Sequence, residues 1–218
     1  MNNFHKRILT SIIIFPLSIF IIFQGGYLLL SYLLLAFLIA NYELFSVFKN
    51  KKNILFLDLV LILSLFSIYQ LRDYNSVSFN LLIWFIVVTV CSDVGGYIFG
   101  KIFKWKKISK ISPKKTLSGV IGSLIFSLIS VLLLGVVVSL IFNFDFSFVF
   151  KIKYFILAII FSISSQVGDL TVSFFKRLEK IKDTGKFLPG HGGIFDRIDG
   201  LMFVVILGYL VYILKLFP

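Results

Sequence analysis

The chain has 218 residues, of which 59% are hydrophobic and 15% charged, with 27 Phe and a mean hydropathy of +1.01. Soluble domains carry roughly 25% charged and about 45–50% apolar residues, so this composition excludes an ordinary water-soluble core and requires lipid to cover much of the apolar surface. The formal charge of +12 would suggest nucleic acid in a soluble protein, but in a membrane protein the loops offer a simpler source for it.

A helix crosses the hydrocarbon with about 20 apolar residues. Seven segments supply them, near Ile8–Phe23, Tyr27–Val47, Ile54–Leu71, Phe79–Phe99, Gly119–Phe142, Tyr154–Phe175 and Gly200–Phe217. The first is short and contains Pro16, which a membrane helix tolerates. Lys6 and Arg7 before an apolar run imitate a signal peptide. No A-x-A cleavage pattern follows, and the next apolar run comes directly after Gly25-Gly26, so the segment is read as a span. The single cysteine, Cys91, excludes an internal disulfide and a CxxC metal site, and reads as a small buried hydrophobe. No repeat or linker interrupts the series. The expected fold is an all-α polytopic transmembrane bundle of about seven spans. It forms a single domain over residues 1–218, with 1–76 as N-terminal spans and 77–218 as the catalytic core.

The basic residues divide between alternate loops. Eighteen of the 22 fall in the N-terminal tail and in the loops after the second, fourth and sixth spans, whereas only Arg72, Lys151, Lys153 and Lys215 fall on the other side. The richer side is cytoplasmic by the positive-inside rule. The N-terminus is therefore expected inside and the C-terminus outside, in a bacterial-type inner membrane, and the charge calls for no nucleic acid.

Two loops on the cytoplasmic side stand out. They hold six of the ten acidic residues: Asp93, Asp169, Glu179, Asp183, Asp196 and Asp199. Asp169 ends a mainly apolar run, where a carboxylate needs a partner. Asp196 and Asp199 are three apart, on one face of a helix at the mouth of the last span, where a helix N-terminus favours negative charge. Carboxylates from two helix ends suit Mg²⁺, which takes one or two carboxylates plus substrate phosphates. No His/Cys set suits zinc.

Ser112-Pro113 reads as an N-cap with Pro at the first helical position, placing Lys114 and Lys115 in a first turn that attracts phosphate. Lys176-Arg177 and Arg197 are suited to a second anion. Lys104, Lys106, Lys107 and Lys110 read as plain membrane-surface attraction. His191 lies between Gly190 and Gly192-Gly193, where backbone can approach a ligand. Gly95 to Lys101 matches G-x-x-x-x-G-K, but Ile102 stands where a P-loop needs Ser or Thr and no strand precedes it. The P-loop reading is rejected.

The stretch Ser173-Phe174-Phe175-Lys176-Arg177, Lys182-Asp183, Pro189-Gly190-His191-Gly192-Gly193 and Asp196-Arg197-Ile198-Asp199 resembles the signature of the phosphatidate cytidylyltransferase (CDP-diacylglycerol synthase) family. Gly168-Asp169-Leu170 is similar to that family's adjoining metal-binding element. So are Asp93, Tyr97, Gly100-Lys101 and Ser112-Pro113-Lys114-Lys115-Thr116 to its other loop. Two departures are Leu117-Ser118, where the family usually has an aromatic residue and Glu, and Gly96, where it usually has Ala.

The resemblance implies that CTP and phosphatidate give CDP-diacylglycerol and pyrophosphate, with Mg²⁺ as cofactor. It implies Asp169 and Asp196 as metal ligands, with Asp199 a further candidate, and Lys176 and Arg177 as catalytic alongside them. Asp93, Tyr97, Ser112, Lys114, Lys115, Thr116, His191 and Arg197 would bind substrate. CTP, phosphatidate and membrane lipid are the implied partners, and a homodimer stays open. A CTP-dependent lipid-alcohol kinase and a transporter are the alternatives. The transporter is disfavoured because the polar groups cluster on one face rather than at the midplane.

Overall fold

The computed structural model describes residues 3–108, 112, 115–142, 151–185, 187 and 192–216. Among these are seven α-helices: α1 Asn3–Gln24, α2 Gly26–Val47, α3 Lys51–Asp73, α4 Ser76–Phe103, α5 Leu117–Phe142, α6 Ile152–Leu178 and α7 Phe195–Ile213. Each apolar segment is thus helical, and no strand is present among the described residues. Helices α2, α3, α4 and α6 are long and apolar enough to cross a membrane. Leu35, Leu55, Phe66 and Ile156 are exposed on the outside of the bundle, and lipid is the solvent that accommodates such surface. The protein is a membrane-embedded helical bundle.

Short polar residues set the helix starts. The Asn50 side chain accepts from Lys52 N at 3.0 Å and opens α3. Asn75 and Ser78 form a capping box that opens α4, with the Asn75 carboxamide accepting from Ser78 N at 2.8 Å. Between α1 and α2 the chain reverses through Gly25 and Gly26, both at positive φ. There Arg72 of α3 donates to the carbonyls of Ile22 and Phe23, closing the end of α1. Asp73 accepts from Gly26 N at 3.3 Å. Arg72, one of the few basic residues on that side, therefore holds helix ends together.

Two buried clusters fill the interior. In one, Trp84 and Phe85 of α4 meet Phe161 of α6 and Val204 and Val205 of α7. The Trp84 indole N–H donates to Ser130 Oγ at 3.1 Å, so this large ring is buried without an orphan donor. In the other, Leu44 of α2 and Leu57 and Leu61 of α3 pack with Val172 of α6 and Phe195 and Met202 of α7. Cys91 is half-buried rather than enclosed, because it lies beside the exposed Val90 and Val94 on α4.

The glycines that imitated a P-loop have a packing role. Helices α4 and α5 cross so closely that a Cβ at Gly95 would lie 2.4 Å from Gly122 O, and one at Gly122 would lie 2.5 Å from Gly95 O. Small residues allow such approach between membrane helices. Both obstacles are backbone carbonyls, which cannot swing aside. Gly122→Ala is therefore expected to overpack the crossing at a cost of about 1–3 kcal/mol, lowering Tm by roughly 2–4 °C per kcal/mol. An unchanged melting curve in detergent would contradict the close crossing.

Candidate active site

The end of the bundle that carries the basic loops is marked out by contacts between distant segments. The carboxylate of Glu179, just beyond α6, accepts from Lys49 N (3.3 Å), Asn50 N (3.1 Å) and Asn53 Nδ2 (3.1 Å). The Asn50 amide is the main cause that holds the Glu179 carboxyl below the usual carboxylate range. A depressed carboxyl stabilises the fold above its unfolded pKa, near 4.5, and that contribution is lost as pH falls through the lower folded value. Glu179→Gln is expected to flatten this acid limb of Tm against pH below 4.5. An identical acid limb would remove Glu179 from the account.

At the same end lies a cavity of about 370 Å³. Asp93, Gly96 and Tyr97 of α4 line it together with Ser112, Lys115 and Thr116 of the following loop. Gly119, Val120 and Ser123 of α5, Gln166 and Asp169 of α6, and Asp196 and Asp199 of α7 complete the described lining. Glycines bring α6 and α7 together here. A Cβ at Gly168 would lie 2.7 Å from Asp199 O, and one at Gly200 would lie 2.5 Å from Ser165 Oγ. That close crossing sets Asp169 and Asp199 over one cavity.

Two lysines reach the carboxylates. Lys115 Nζ lies 2.6 Å from Asp169 Oδ2 and also donates to Gln166 O at 3.3 Å, while Ser173 Oγ donates to Asp169 Oδ1 at 3.3 Å. Lys176 Nζ lies 2.7 Å from Asp196 Oδ1, and both of those side chains are buried. Asp196 Oδ2 accepts from Thr184 N (2.8 Å) and Gly193 N (3.1 Å). Asp196 is thus fully engaged by one ammonium and two loop amides. Asp93 and Asp199 have no salt bridge among the described residues, and both interact electrostatically with Asp169.

The loop before α5 differs from the expected helix start. Thr116, not Ser112, is the cap: its Oγ1 accepts from Gly119 N at 3.1 Å, and α5 begins at Leu117. The backbone carbonyl of Ser112 instead accepts from Lys115 N at 3.0 Å. Lys107 and Thr116 pair antiparallel, with Leu117 N donating to Lys106 O at 2.9 Å. Lys115 therefore lies beside the bridged Lys107–Thr116 pair rather than in the first turn of α5, and its ammonium still reaches the cavity. Arg177 is exposed and donates from Nη1 to Ile181 O at 2.7 Å, closing the turn after α6. Neither Arg177 nor the exposed Arg197 belongs to the described lining. Lys114 and His191 lie outside the described residues.

Sequence reasoning passed over Glu43, whose buried carboxylate on α2 accepts from Ile194 N at 2.8 Å, and it gave Glu179 no role. The signal for Glu43 was the one applied to Asp169, an acid closing an apolar run. Among the described residues no three His, Cys, Asp or Glu side chains cluster tightly enough to form a metal site by themselves. The carboxylate set of the lining would suit Mg²⁺. It is all oxygen, Asp169 and Asp196 already attract ammonium groups at 2.6 and 2.7 Å, and Mg²⁺ takes only one or two carboxylates when phosphates supply the rest.

The polar end of this membrane bundle thus holds a cavity whose described lining includes four carboxylates, of which Asp169 is met by Lys115 and Asp196 by Lys176. The sequence pattern of the cytidylyltransferase family matches residues 52–215, and the chain belongs to that family. It is 32% identical over 220 residues to the phosphatidate cytidylyltransferase of Rickettsia conorii, covering 97% of this chain and 92% of that protein. The proteins of the same name from Staphylococcus saprophyticus (37% over 136 residues) and Staphylococcus haemolyticus (42% over 122 residues) match 62% and 56% of this chain. Those two alignments span about half the length of the relatives, 50% and 44%.

The two ion pairs differ in burial, and their removal should differ in cost. Lys176→Ala leaves Asp196 buried without its cation, a change that costs about 3–5 kcal/mol at buried pairs. Lys115→Ala breaks a more exposed pair, 22% and 38% accessible, and should cost about 1 kcal/mol or less. Thermal melts in detergent test the order, and equal losses would refute it.

Proposed function

We propose that this protein transfers the cytidylyl group of CTP to phosphatidate, giving CDP-diacylglycerol and pyrophosphate. The observation that carries the reading is the cavity in which Asp93, Asp169 and Asp199 face Lys115, within a chain of the cytidylyltransferase family. All seven helices are taken to cross the inner membrane, with this end cytoplasmic, because 18 of the 22 basic residues lie on that side. The lipid then enters from the inner leaflet and the nucleotide from water.

In the reaction, a phosphate oxygen of phosphatidate attacks the α-phosphorus of CTP. A new P–O bond forms as the bond from the α-phosphorus to the bridging oxygen breaks, and pyrophosphate leaves with that oxygen. The nucleophile is already an anion, so no side chain has to remove a proton. What the protein supplies is alignment and neutralisation of charge. Lys115, which lines the cavity, would trade its carboxylate for phosphate oxygens when the anions arrive, and Lys176, outside the described lining, would do so only by leaving Asp196. Ser112, Thr116 and Tyr97 contribute hydroxyls to the lining. Asp169 would hold Mg²⁺ with Asp199 or Asp93. Asp196 would join only by releasing Lys176, and otherwise holds the loop. The ion, when bound, supplies positive charge to the triphosphate and to the departing pyrophosphate.

Purified protein given labelled CTP, phosphatidate and Mg²⁺ should release pyrophosphate and form a CDP-lipid. Release of CDP would instead indicate a kinase. Asp169→Asn is expected to lower kcat by at least about 100-fold, the scale of losing one electrostatic group at a transition state. It should also weaken the rise in Tm that Mg²⁺ gives the wild type. Lys107→Ala, an exposed side chain on the loop, should retain activity. Full turnover in Asp169→Asn would remove that residue from the metal site.

A further inference from the structure

We infer that Glu43, on α2 and outside the cavity, is a positioning residue that fixes the loop and helix start carrying Asp196 and Asp199. The inference rests on the proposed transferase reading.

Glu43 is 3% exposed. Its Oε2 accepts from Ile194 N at 2.8 Å and its Oε1 from Phe187 N at 3.4 Å. These amides belong to two legs of the loop between α6 and α7, and Ile194 immediately precedes α7. The carboxylate therefore lies at the N-terminus of α7, where the helix dipole favours negative charge. Two glycines admit it. A Cβ at Gly185 would lie 2.2 Å from Glu43 Oε1, and one at Gly193 would lie 2.5 Å from Oε2.

Asp196 takes the neighbouring amides, Thr184 N at 2.8 Å and Gly193 N at 3.1 Å. The loop thus hangs on two carboxylates. One comes from α7, whose Asp196 and Asp199 line the cavity, and the other from α2, which contributes no lining residue. Glu179 ties the same regions in the opposite direction, through Lys49, Asn50 and Asn53. The packing of α2 depends on its apolar neighbours Ala40 and Leu44, so altering Glu43 disturbs the loop while leaving the helix seated. The N-terminal spans are then part of the catalytic apparatus rather than an anchor for it.

The test compares wild type, Glu43→Gln and Gly185→Ala. Glutamine keeps the shape but loses the charge, whereas an alanine at 185 crowds the carboxylate from the loop side with α2 untouched. Two readouts are taken on the full chain in detergent: kcat and KM for CTP and phosphatidate, and the rate of tryptic cleavage after Lys182. Both variants should lower kcat by about 10-fold or more, as small misplacements of reacting groups do. KM for phosphatidate should stay within about two-fold, because Glu43 does not reach the cavity. Cleavage at Lys182 should accelerate about five-fold or more as the loop opens locally. Wild-type kcat in both variants, or unchanged cleavage, overturns the inference. A wild-type protein that forms no CDP-lipid defeats the proposed reaction instead, and the cleavage rates then decide the role of Glu43 alone.

Discussion

Charge at the end of an apolar bundle has to be received, either by opposite charge or by backbone amides, because the helices around it offer little else. At the polar end of this protein both kinds of reception occur, and they divide the acidic residues by role. Glu43 and Glu179 take amides and bind loops to distant helices. Asp169 takes a lysine and a serine hydroxyl beside the cavity. Asp196 takes both a lysine and loop amides. It therefore couples the architecture of the loop to the electrostatics of the site.

Backbone proximity makes this arrangement attainable. Carboxylates on separate helices meet only if the helices approach closely, and glycines permit that at both crossings near the cavity. Gly95 and Gly122 join α4 to α5, and Gly168 and Gly200 join α6 to α7. Gly168 and Gly200 directly flank Asp169 and Asp199 in sequence. Asp169 and Asp199 are thus held beside close helix contacts, where the backbone has little freedom to drift. Buried hydroxyls continue the polar region downward: Ser92 meets Ser162 at 2.8 Å, and Ser123 donates to Ser92 O at 2.8 Å.

Much of this was legible in the amino-acid order, and the rest was hidden for definable reasons. Apolar run length located all seven helices, since a span needs a set number of apolar residues whatever it packs against. Helix edges were harder. Helix α7 begins at Phe195, ahead of the apolar span that opens at Gly200, so Asp196 and Asp199 lie on its first turns as their spacing suggested. Ser112-Pro113 read as a helix start, whereas α5 begins at Leu117 with Thr116 Oγ1 accepting from Gly119 N. Asp169, Asp196 and Asp199 were singled out by their position at span ends and Asp93 by the family resemblance, and all four line one cavity. Their lysine partners lie 54 and 20 residues away (Lys115–Asp169 and Lys176–Asp196), a pairing that spacing cannot express. Glu43 lies 151 residues from Ile194, further still.

For the proposed reaction, the charge balance of the cavity bears on what would accompany the nucleotide. Among the described residues, four carboxylates line it, while the ammonium groups that reach those carboxylates come from Lys115 and Lys176. With every group ionised, negative charge exceeds positive before any substrate arrives. A triphosphate and a lipid phosphate would deepen that excess in a region of low dielectric, where like charges repel strongly. Transferring both lysines to phosphates does not help, since it leaves Asp169 and Asp196 without their cations. On the proposed reading, a divalent ion bound with CTP would satisfy a carboxylate as a lysine leaves and would neutralise the phosphates that the lysine joins. On that reading the two ion pairs would hold the carboxylates in place before metal and nucleotide bind.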